Sequence, residues 1–424
     1  MTCIGPEKAK SHSLFFRVSL WNNEREIKLE IPHDWDVTEC HMSGYKLPAL
    51  SKSDIQEAFE NPIGTRRIRD LAIGKQRVVI LFDDLARPTQ TYKILPFVIR
   101  ELKDGGIGDE QISLVCAYGC HRPLTRDEMI KKLGRKIVEK YPVFNHNLYE
   151  HHEKIGTTSY GTPVFINREV AACDLKIGVG CLVPHFTSGY GGGAKIIVPG
   201  AAGIETIAHN HITLHETYPE QVGLGKVRNN PRRLDLEEAA QIAGLDIAVN
   251  VVVNHRKEIL GIFVGDFVKG HRQGVAFANS VYGTENPGKF DLLILNSFPL
   301  EESPEKGLWP AEVSLNPEGD VVLIWQNAEG LLPHYLVGTF GRDYGGRKWQ
   351  KPGPLRLPQA KRLFIYSENL AKQEQKWWGP ADQVLWYRDW DKLIEVLKAG
   401  HDSGTQVAVY PYATLQCPIF PDEY

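Results

Sequence analysis

Continuous apolar runs that stop at polar residues dominate the first half of the chain, and they predict strands buried on both faces of a sheet. The clearest run, RVVILF at residues 77–82, ends abruptly at Asp83 and Asp84. A helical pattern covers residues 91–103, and a second apolar run follows at residues 112–117. The order strand, helix, strand predicts a parallel sheet covered by helices, which is an α/β fold.

Similar patterns extend along the rest of the chain. Alternating apolar and polar positions within residues 13–32 predict edge strands. Helices are predicted at residues 231–243, 270–282 and 391–399. Further strands are predicted at residues 175–179, 196–198, 245–253, 291–295, 320–325, 363–367 and 406–410.

The length of the chain and a new strand after a turn-rich segment near residue 285 predict two domains. At 424 residues the chain is longer than one hydrophobic core usually organises. We therefore predict two Rossmann-like α/β domains with mainly parallel sheets and an interdomain active-site cleft. Residues 1–268 form the N-terminal domain in this prediction. Residues 269–424 form the C-terminal domain that closes the cleft, and the last residues are allowed to return to the first domain.

Composition and charge exclude several classes of protein. Hydrophobic residues make up 42% of the chain and charged residues 24%, as in ordinary globular proteins. The net charge of −3 provides no basic surface, so we expect no nucleic-acid partner. Because no signal peptide and no membrane-spanning run is recognisable, we expect a cytoplasmic protein without a membrane partner. The 7 cysteines include no C-x-x-C pair and predict reduced thiols.

Three polar side chains follow predicted strands at their carboxyl ends. Asp84, His121 and His185 come after the strands at residues 77–82, 112–117 and 175–179. Ligands bind outside this edge of a doubly wound sheet, so we predict a site there. Arg87 lies close to Asp84 and offers a guanidinium that fits a planar carboxylate. An Asp–Arg pair that caps a helix explains the same spacing equally well.

A glycine-rich segment precedes a lysine in the sequence GYGGGAKIIVPG. Gly191, Gly192 and Gly193 permit positive φ and a close approach of a ligand to the main chain, although a simple tight turn has the same composition. The dinucleotide pattern G-x-G-x-x-A is matched from Gly189, but no clear helix follows it. Lys195 becomes an amine nucleophile if it is removed from water. A lysine at a strand edge with its ammonium in solvent fits the composition better.

Four histidines, His185, His209, His211 and His215, lie within the segment 184–215. Histidine transfers protons near neutral pH and also binds metals. The cluster lacks the cysteine or carboxylate pattern of a zinc site. A single histidine in such a segment is more often a capping or core residue than a ligand.

Taken together, these segments resemble the nickel-dependent lactate racemase family. The resemblance rests on motifs that occur in the family's order: D-x-x-R-P at residues 84–88, G-x-H-R-P at 119–123, P-H-x-x-x-G-x-x-G-G-A-K at 184–195, V-P-G at 198–200, G-x-E-T-I at 203–207 and N-H at 210–211. The intervals of 10 residues from His185 to Lys195 and 16 from Lys195 to His211 agree with the family's spacing.

The resemblance implies a cofactor, the nickel-pincer nucleotide, which is a pyridinium-3-thioamide-5-thiocarboxylic acid mononucleotide. Lys195 would carry it covalently, and His211 would be the protein ligand of its nickel. Residues 1–268 would then be the cofactor-binding catalytic domain. The remaining cofactor-binding residues implied are Asp84, Gly191, Gly192 and Gly193. Separate cofactor-biosynthesis proteins are implied as partners, since the cofactor must be installed on the chain.

The implied activity is that of a 2-hydroxy acid racemase or epimerase, which acts by reversible hydride transfer through a 2-keto acid intermediate. His121 and His185 would alternate as acid and base, and Arg87 and Lys306 would bind the small-molecule substrate.

Three departures from the family pattern predict a hydroxy acid other than lactate. They are Ala86 in place of threonine, Gln90 in place of proline and Ser303 in place of glutamine. Two alternatives remain open from the sequence, namely an NAD-dependent oxidoreductase of similar small acids and a non-catalytic protein that binds nickel and the cofactor.

Overall fold

The computed structural model describes residues 7–8, 12–336, 355–357, 359–371 and 374–420. Within these ranges the chain forms two compact units. The first unit comprises residues 47–279 and 333–336, and the second comprises residues 7–46, 280–332 and 355–420, less the undescribed positions. Cys3 and the last four residues, 421–424, lie outside the described residues, and so does the predicted return of the C-terminus to the first domain.

The strands are described first, in chain order. They are β1 (Glu7–Lys8), β2 (Ser13–Val18), β3 (Arg25–Glu30), β4 (Asp36–Glu39), β5 (Val78–Phe82), β6 (Ile112–Cys116), β7 (Val143–Asn145), β8 (His152–Thr157), β9 (Pro163–Asn167), β10 (Leu175–Cys181), β11 (Pro184–His185), β12 (Ser188–Tyr190), β13 (Gly223–Leu224), β14 (Ile247–Val253), β15 (Ile259–Gly265), β16 (Phe290–Asn296), β17 (Leu315–Ile324), β18 (Arg362–Tyr366), β19 (Val384–Tyr387) and β20 (Gln406–Tyr410).

The helices follow in the same way. They are α1 (Lys52–Glu60), α2 (Ile68–Ala72), α3 (Thr91–Asp104), α4 (Arg126–Leu133), α5 (Arg135–Lys140), α6 (Arg168–Ala171), α7 (Ile204–Ala208), α8 (Leu214–Thr217), α9 (Pro231–Ile242), α10 (Lys269–Tyr282), α11 (Trp309–Ser314), α12 (Gln375–Trp378) and α13 (Trp390–Lys398). Short 3-10 turns occur at Asp109–Gln111, Gly193–Ile196 and Pro304–Gly307, and a π-helical turn occurs at His209–Thr213.

The first unit is built on a six-stranded sheet in the order β15-β14-β10-β5-β6-β7. All neighbouring pairs are parallel except β14 and β15. Every residue of β5, β10 and β14 is buried, which explains why these strands read as continuous apolar runs. The predicted α/β class with mainly parallel sheets is confirmed.

The second unit contains a seven-stranded sheet in the order β1-β4-β20-β16-β17-β18-β19. Strand β4 pairs in parallel with β20, from the opposite end of the chain. This pairing places the N-terminal residues in the second unit. The domain boundary predicted from the sequence, between residues 268 and 269, had placed them in the first domain. Apolar periodicity predicts that a segment forms a strand, but it contains no information about the partner of that strand.

The strand predicted at residues 196–198 is wrong. This segment forms the end of a 3-10 turn and the turn that follows it. Its apolar side chains are buried because they pack on the sheet. Ile196 packs so closely against Gly178 of β10 that a Cβ at position 178 would lie only 2.7 Å from Ile196 Cγ2. The run of β-branched residues therefore indicated burial and not strand conformation.

Candidate active site

The carboxyl ends of three adjacent strands meet at one edge of the sheet of the first unit. β5 lies between β10 and β6 and is in parallel register with both. The loops that follow these strands therefore line a common cavity, whose walls include Asp84, Arg87, His121 and Lys195 together with Gly191, Gly192 and Gly193. The structure thus brings together most of the site residues named from the sequence.

Asp84 and His121 form a buried pair in this cavity. Asp84 Oδ2 lies 2.6 Å from His121 Nδ1. Burial by itself would raise the pKa of Asp84, but His121, Arg87 and Lys132 outweigh burial and hold this pKa below its ordinary value. Because the ionised carboxylate only accepts hydrogen bonds, His121 Nδ1 carries the proton and its neutral form presents Nε2 as an acceptor.

The loop after β5 is fixed by Lys132 of α4, which the sequence reading did not identify. Lys132 is fully buried and donates to the carbonyl oxygens of Asp84 at 2.8 Å and of Arg87 at 3.0 Å. Its ammonium also lies 2.7 Å from Asp83 Oδ1. Asp83 Oδ2 in turn accepts from Thr89 Oγ1 at 2.6 Å. These contacts set the backbone that carries Asp84 and Arg87.

Replacing Lys132 by methionine is expected to lower the free energy of unfolding by about 3–5 kcal/mol, because the buried carboxylate of Asp83 loses its counter-charge. Denaturation in urea measures this change. The matched control is Lys131→Met, since Lys131 is the exposed neighbour on the same helix. Equal stability of the two variants would contradict the role given to Lys132.

The glycine loop lies against the sheet and the start of α10, and two of its amides are already bonded. Gly191 N donates to Val183 O at 2.8 Å, and Gly193 N donates to Asn250 Oδ1 at 2.7 Å. Gly192 and Gly193 have φ of 71° and 59°. A Cβ on Gly193 would lie 2.9 Å from the ring of His271. The glycines are therefore required for tight packing of the loop, and the amides of Gly191 and Gly193 are used within the protein.

Arg233 of α9 holds the same loop from the other side. Its guanidinium is fully buried and donates to Ser188 O at 3.1 Å, to Gly192 O at 3.3 Å and to Tyr190 O. Three carbonyl groups of one loop are thereby satisfied by one side chain. The loop that precedes Lys195 is consequently fixed by side chains from outside it.

Lys195 lies in the 3-10 turn Gly193–Ile196 and is half-buried. Its Nζ donates to Ser188 Oγ at 3.4 Å. The amine belongs to the cavity wall and does not lie at a strand edge. This position is compatible with covalent attachment of a ligand.

His211 lies in the π-helical turn between α7 and α8, a geometry that often occurs at functional sites. Its Nδ1 is buried and makes no hydrogen bond to any residue in the described part of the chain. Burial, followed by the charges of Arg232, Lys195, His334 and His121, lowers its pKa well below the ordinary value, so the imidazole is neutral and able to bind a metal.

No three His, Cys, Asp or Glu side chains in the described part of the chain converge as a metal site. The unpartnered nitrogen and this single-histidine arrangement both fit a metal that arrives with its own donors.

His185 and Lys306 occupy different surroundings. His185 is half-buried, and its Nδ1 accepts from the backbone amides of Thr187 and Ser188, both at 3.3 Å. It and His211 are not among the residues that line the cavity. Lys306 lies in the 3-10 turn Pro304–Gly307 of the second unit.

His334 is a further histidine beside the site that the sequence reading missed. Its ring lies edge-on to that of His121, with centroids 5.7 Å apart. The neighbouring Tyr335 N donates to Cys120 O at 2.7 Å, and Leu336 is buried in the core of the first unit. No motif accompanies His334, and its distance along the chain from His121 gave no signal that the two are close.

Comparison with known proteins gives a consistent result. Residues 22–222 match the family described as the lactate racemase N-terminal domain. The chain is 31% identical over 293 residues to a lactate racemase of Thermoanaerobacterium thermosaccharolyticum, a match that covers 68% of each chain. It is 30% identical over 276 residues to a lactate racemase of Lactiplantibacillus plantarum, which covers 64% of this chain and 65% of the relative.

Two solved structures resemble the fold. The lactate racemase apoprotein from Thermoanaerobacterium thermosaccharolyticum superposes with a TM-score of 0.74 at 22% identity, covering 95% of this chain and 99% of that chain. A protein from Thermotoga maritima superposes with a TM-score of 0.62 at 16% identity, covering 87% and 98%. Among the described residues, no helix is long and apolar enough to cross a membrane.

Proposed function

Because the chain belongs to the lactate racemase family, it is an isomerase of the racemase type, and we propose that it interconverts the two configurations of a 2-hydroxy acid. The observation that carries this proposal is the cavity in which the Asp84–His121 pair, Arg87 and Lys195 meet. An acid–base group, a carboxylate-binding cation and an amine able to hold a cofactor are the parts that such a reaction needs.

We further propose that Lys195 holds a nickel-pincer nucleotide covalently and that His211 is the protein ligand of the nickel. The half-buried amine of Lys195 and the unpartnered Nδ1 of His211 support this assignment. When bound, the group supplies a reversible hydride acceptor for the hydrogen on the reacting carbon. The α-hydrogen of a hydroxy acid is very weakly acidic, so removal as hydride avoids a carbanion, and the substrate passes through a 2-keto acid.

The two candidate acid–base histidines differ in their hydrogen-bonding state. Asp84 fixes the proton of His121 on Nδ1, so its neutral Nε2 accepts. The amides of Thr187 and Ser188 donate to Nδ1 of His185, so its neutral form carries the proton on Nε2. His121 is thus prepared to take the hydroxyl proton and become an imidazolium, which can return that proton, whereas neutral His185 donates a hydrogen bond through Nε2. Interconversion of enantiomers requires both roles.

Arg87 is proposed to bind the carboxylate of the substrate, and Lys306 is proposed to bind another part of the substrate. Arg87 is positioned by the loop that Lys132 holds, and its Nη1 donates to Ala86 O at 2.9 Å. The substitutions at Ala86, Gln90 and Ser303 support a hydroxy acid other than lactate. An NAD-dependent oxidoreductase is not favoured, because a four-residue 3-10 turn follows the glycine loop where a dinucleotide site has a helix.

The test is expression together with nickel and a complete set of cofactor-biosynthesis proteins, followed by intact mass spectrometry, nickel analysis and a chiral assay of 2-hydroxy acids. We expect an added mass on Lys195, nickel near one equivalent and conversion of a single enantiomer to a racemate. A control racemase loaded in the same cells shows that the biosynthetic system works. An unmodified mass beside a loaded control would refute the proposal.

A further inference from the structure

Arg232 is a buried cation with unused hydrogen-bond donors. Its side chain is 2% exposed, and neither Nε nor Nη2 has a hydrogen-bond partner among the residues that the structure describes. Burial lowers its pKa to about 10, against the opposing effect of Asp235, so the group stays charged at neutral pH. Leaving charged donors unpaired in a protein interior is strongly destabilising. A ligand that accepts these hydrogen bonds would remove that cost.

The polar side chains next to Arg232, those of Asn230 and Asp235, already accept hydrogen bonds from other groups. Asn230 caps α9 by accepting from the amides of Arg232 and Arg233 at 3.0 and 3.3 Å. Asp235 accepts from Thr158 Oγ1 at 2.6 Å and from Asn210 Nδ2 at 2.7 Å. Neither Asn230 nor Asp235 accepts a hydrogen bond from the guanidinium of Arg232 in the contacts that the structure describes.

Arg232 lies next to the residues proposed to hold the cofactor. Asn210 Nδ2 donates to Arg232 O at 3.0 Å, and Asn210 immediately precedes His211. The charges of Arg232 and Lys195 both act on His211. The adjacent Arg233 binds the glycine loop that leads to Lys195. The buried guanidinium thus shares one neighbourhood with the candidate attachment point and the candidate nickel ligand.

We propose that Arg232 forms an anion subsite that binds the phosphate of the mononucleotide attached to Lys195. A guanidinium pairs with phosphate oxygens through two parallel hydrogen bonds, and Nε and Nη2 are one such pair of donors. The identity of the nucleotide rests on the proposed function. The inference that the site binds a phosphate group depends only on the buried guanidinium of Arg232.

The experiment uses inorganic phosphate and the full-length protein without cofactor. Phosphate affinity is measured by calorimetry and by the shift of the unfolding temperature at constant ionic strength, with chloride as the balancing anion. We expect phosphate to raise the unfolding temperature of the unmodified chain. Arg232→Met should weaken phosphate binding by about tenfold or more, because two charge-assisted hydrogen bonds are lost.

The matched control is Arg228→Met, which removes an exposed arginine four positions earlier and should bind phosphate like the unmodified chain. Without phosphate, Arg232→Met should unfold at the same or a higher temperature, because an unpaired buried charge is gone. If methionine prevents folding, Arg232→Lys keeps the charge without the two-donor geometry and should still bind phosphate more weakly. Unchanged phosphate affinity in a folded Arg232 variant would overturn the subsite, as would absence of phosphate binding to the unmodified chain.

Failure of this subsite is distinguishable from failure of the proposed function. Phosphate binding that depends on Arg232, in a chain that never acquires an added mass on Lys195, would support the subsite and refute the cofactor. An added mass on Lys195 that forms equally with and without Arg232, in a chain whose phosphate affinity is insensitive to Arg232→Met, would refute the subsite and support the cofactor.

Discussion

Lys195→Arg is expected to abolish interconversion of hydroxy acid enantiomers, with a loss of at least about 10⁴-fold in turnover, because a covalent attachment point is removed altogether. Arginine keeps a positive charge in the half-buried turn and near His211, so the electrostatic surroundings change little. The measurement is a chiral assay on protein from cells that supply the cofactor, paired with intact mass spectrometry. We expect the variant to carry no added mass.

The matched control is Lys226→Arg, because Lys226 is also half-buried in the first unit and donates to Glu220 O at 2.7 Å. It should acquire the cofactor and retain activity. Full activity of Lys195→Arg, or an added mass that maps to another residue, would show that the cofactor is not attached at Lys195.

Asp84→Asn is expected to reduce turnover by about 10²- to 10⁴-fold with little change in substrate affinity. An amide no longer compels His121 to keep its proton on Nδ1, so Nε2 ceases to be a dependable acceptor. Steady-state kinetics with each enantiomer separates the loss of turnover from a change in substrate affinity. Asp104→Asn removes an exposed carboxylate of the same unit and serves as the control. An increase in substrate KM alone would assign Asp84 to binding.

The same variant has a defined effect on stability. The pKa of Asp84 lies below the unfolded value of 3.8, because His121, Arg87 and Lys132 outweigh burial. Its ionised form therefore stabilises the fold above that pH, and the contribution is lost as the pH falls through the folded-state pKa. The difference in unfolding free energy between the native chain and Asp84→Asn should accordingly shrink in acid.

The sheet of the first unit was largely predictable, since its strands are buried on both faces and their apolar runs are unbroken. The strand predicted at residues 77–82 corresponds to β5, and the helix predicted at residues 231–243 corresponds to α9. The strand predicted at residues 196–198 was wrong because these apolar side chains are buried in a turn, where Ile196 packs against Gly178. The position of β4 was not predictable, because strand pairing is decided by the whole fold.

The candidate site was also only partly predictable from the sequence. Asp84, Arg87, His121 and Lys195 were identifiable because they follow strands or a glycine-rich turn along the chain. Lys132 and Arg233 were not identifiable, because each donates hydrogen bonds to loop carbonyl groups and no sequence motif indicates such contacts. His334 reaches His121 only through the tertiary fold.

The strand order of the second unit has a consequence for synthesis on the ribosome. β20 lies between β4 and β16, so the earliest of these three strands cannot join the growing sheet until the last has been translated. The residues of the first unit, apart from 333–336, emerge before most of the second unit exists. We infer that the edge of β4 that pairs with β20 waits the longest for its partner, and that truncation near the C-terminus leaves this edge exposed and available for aggregation.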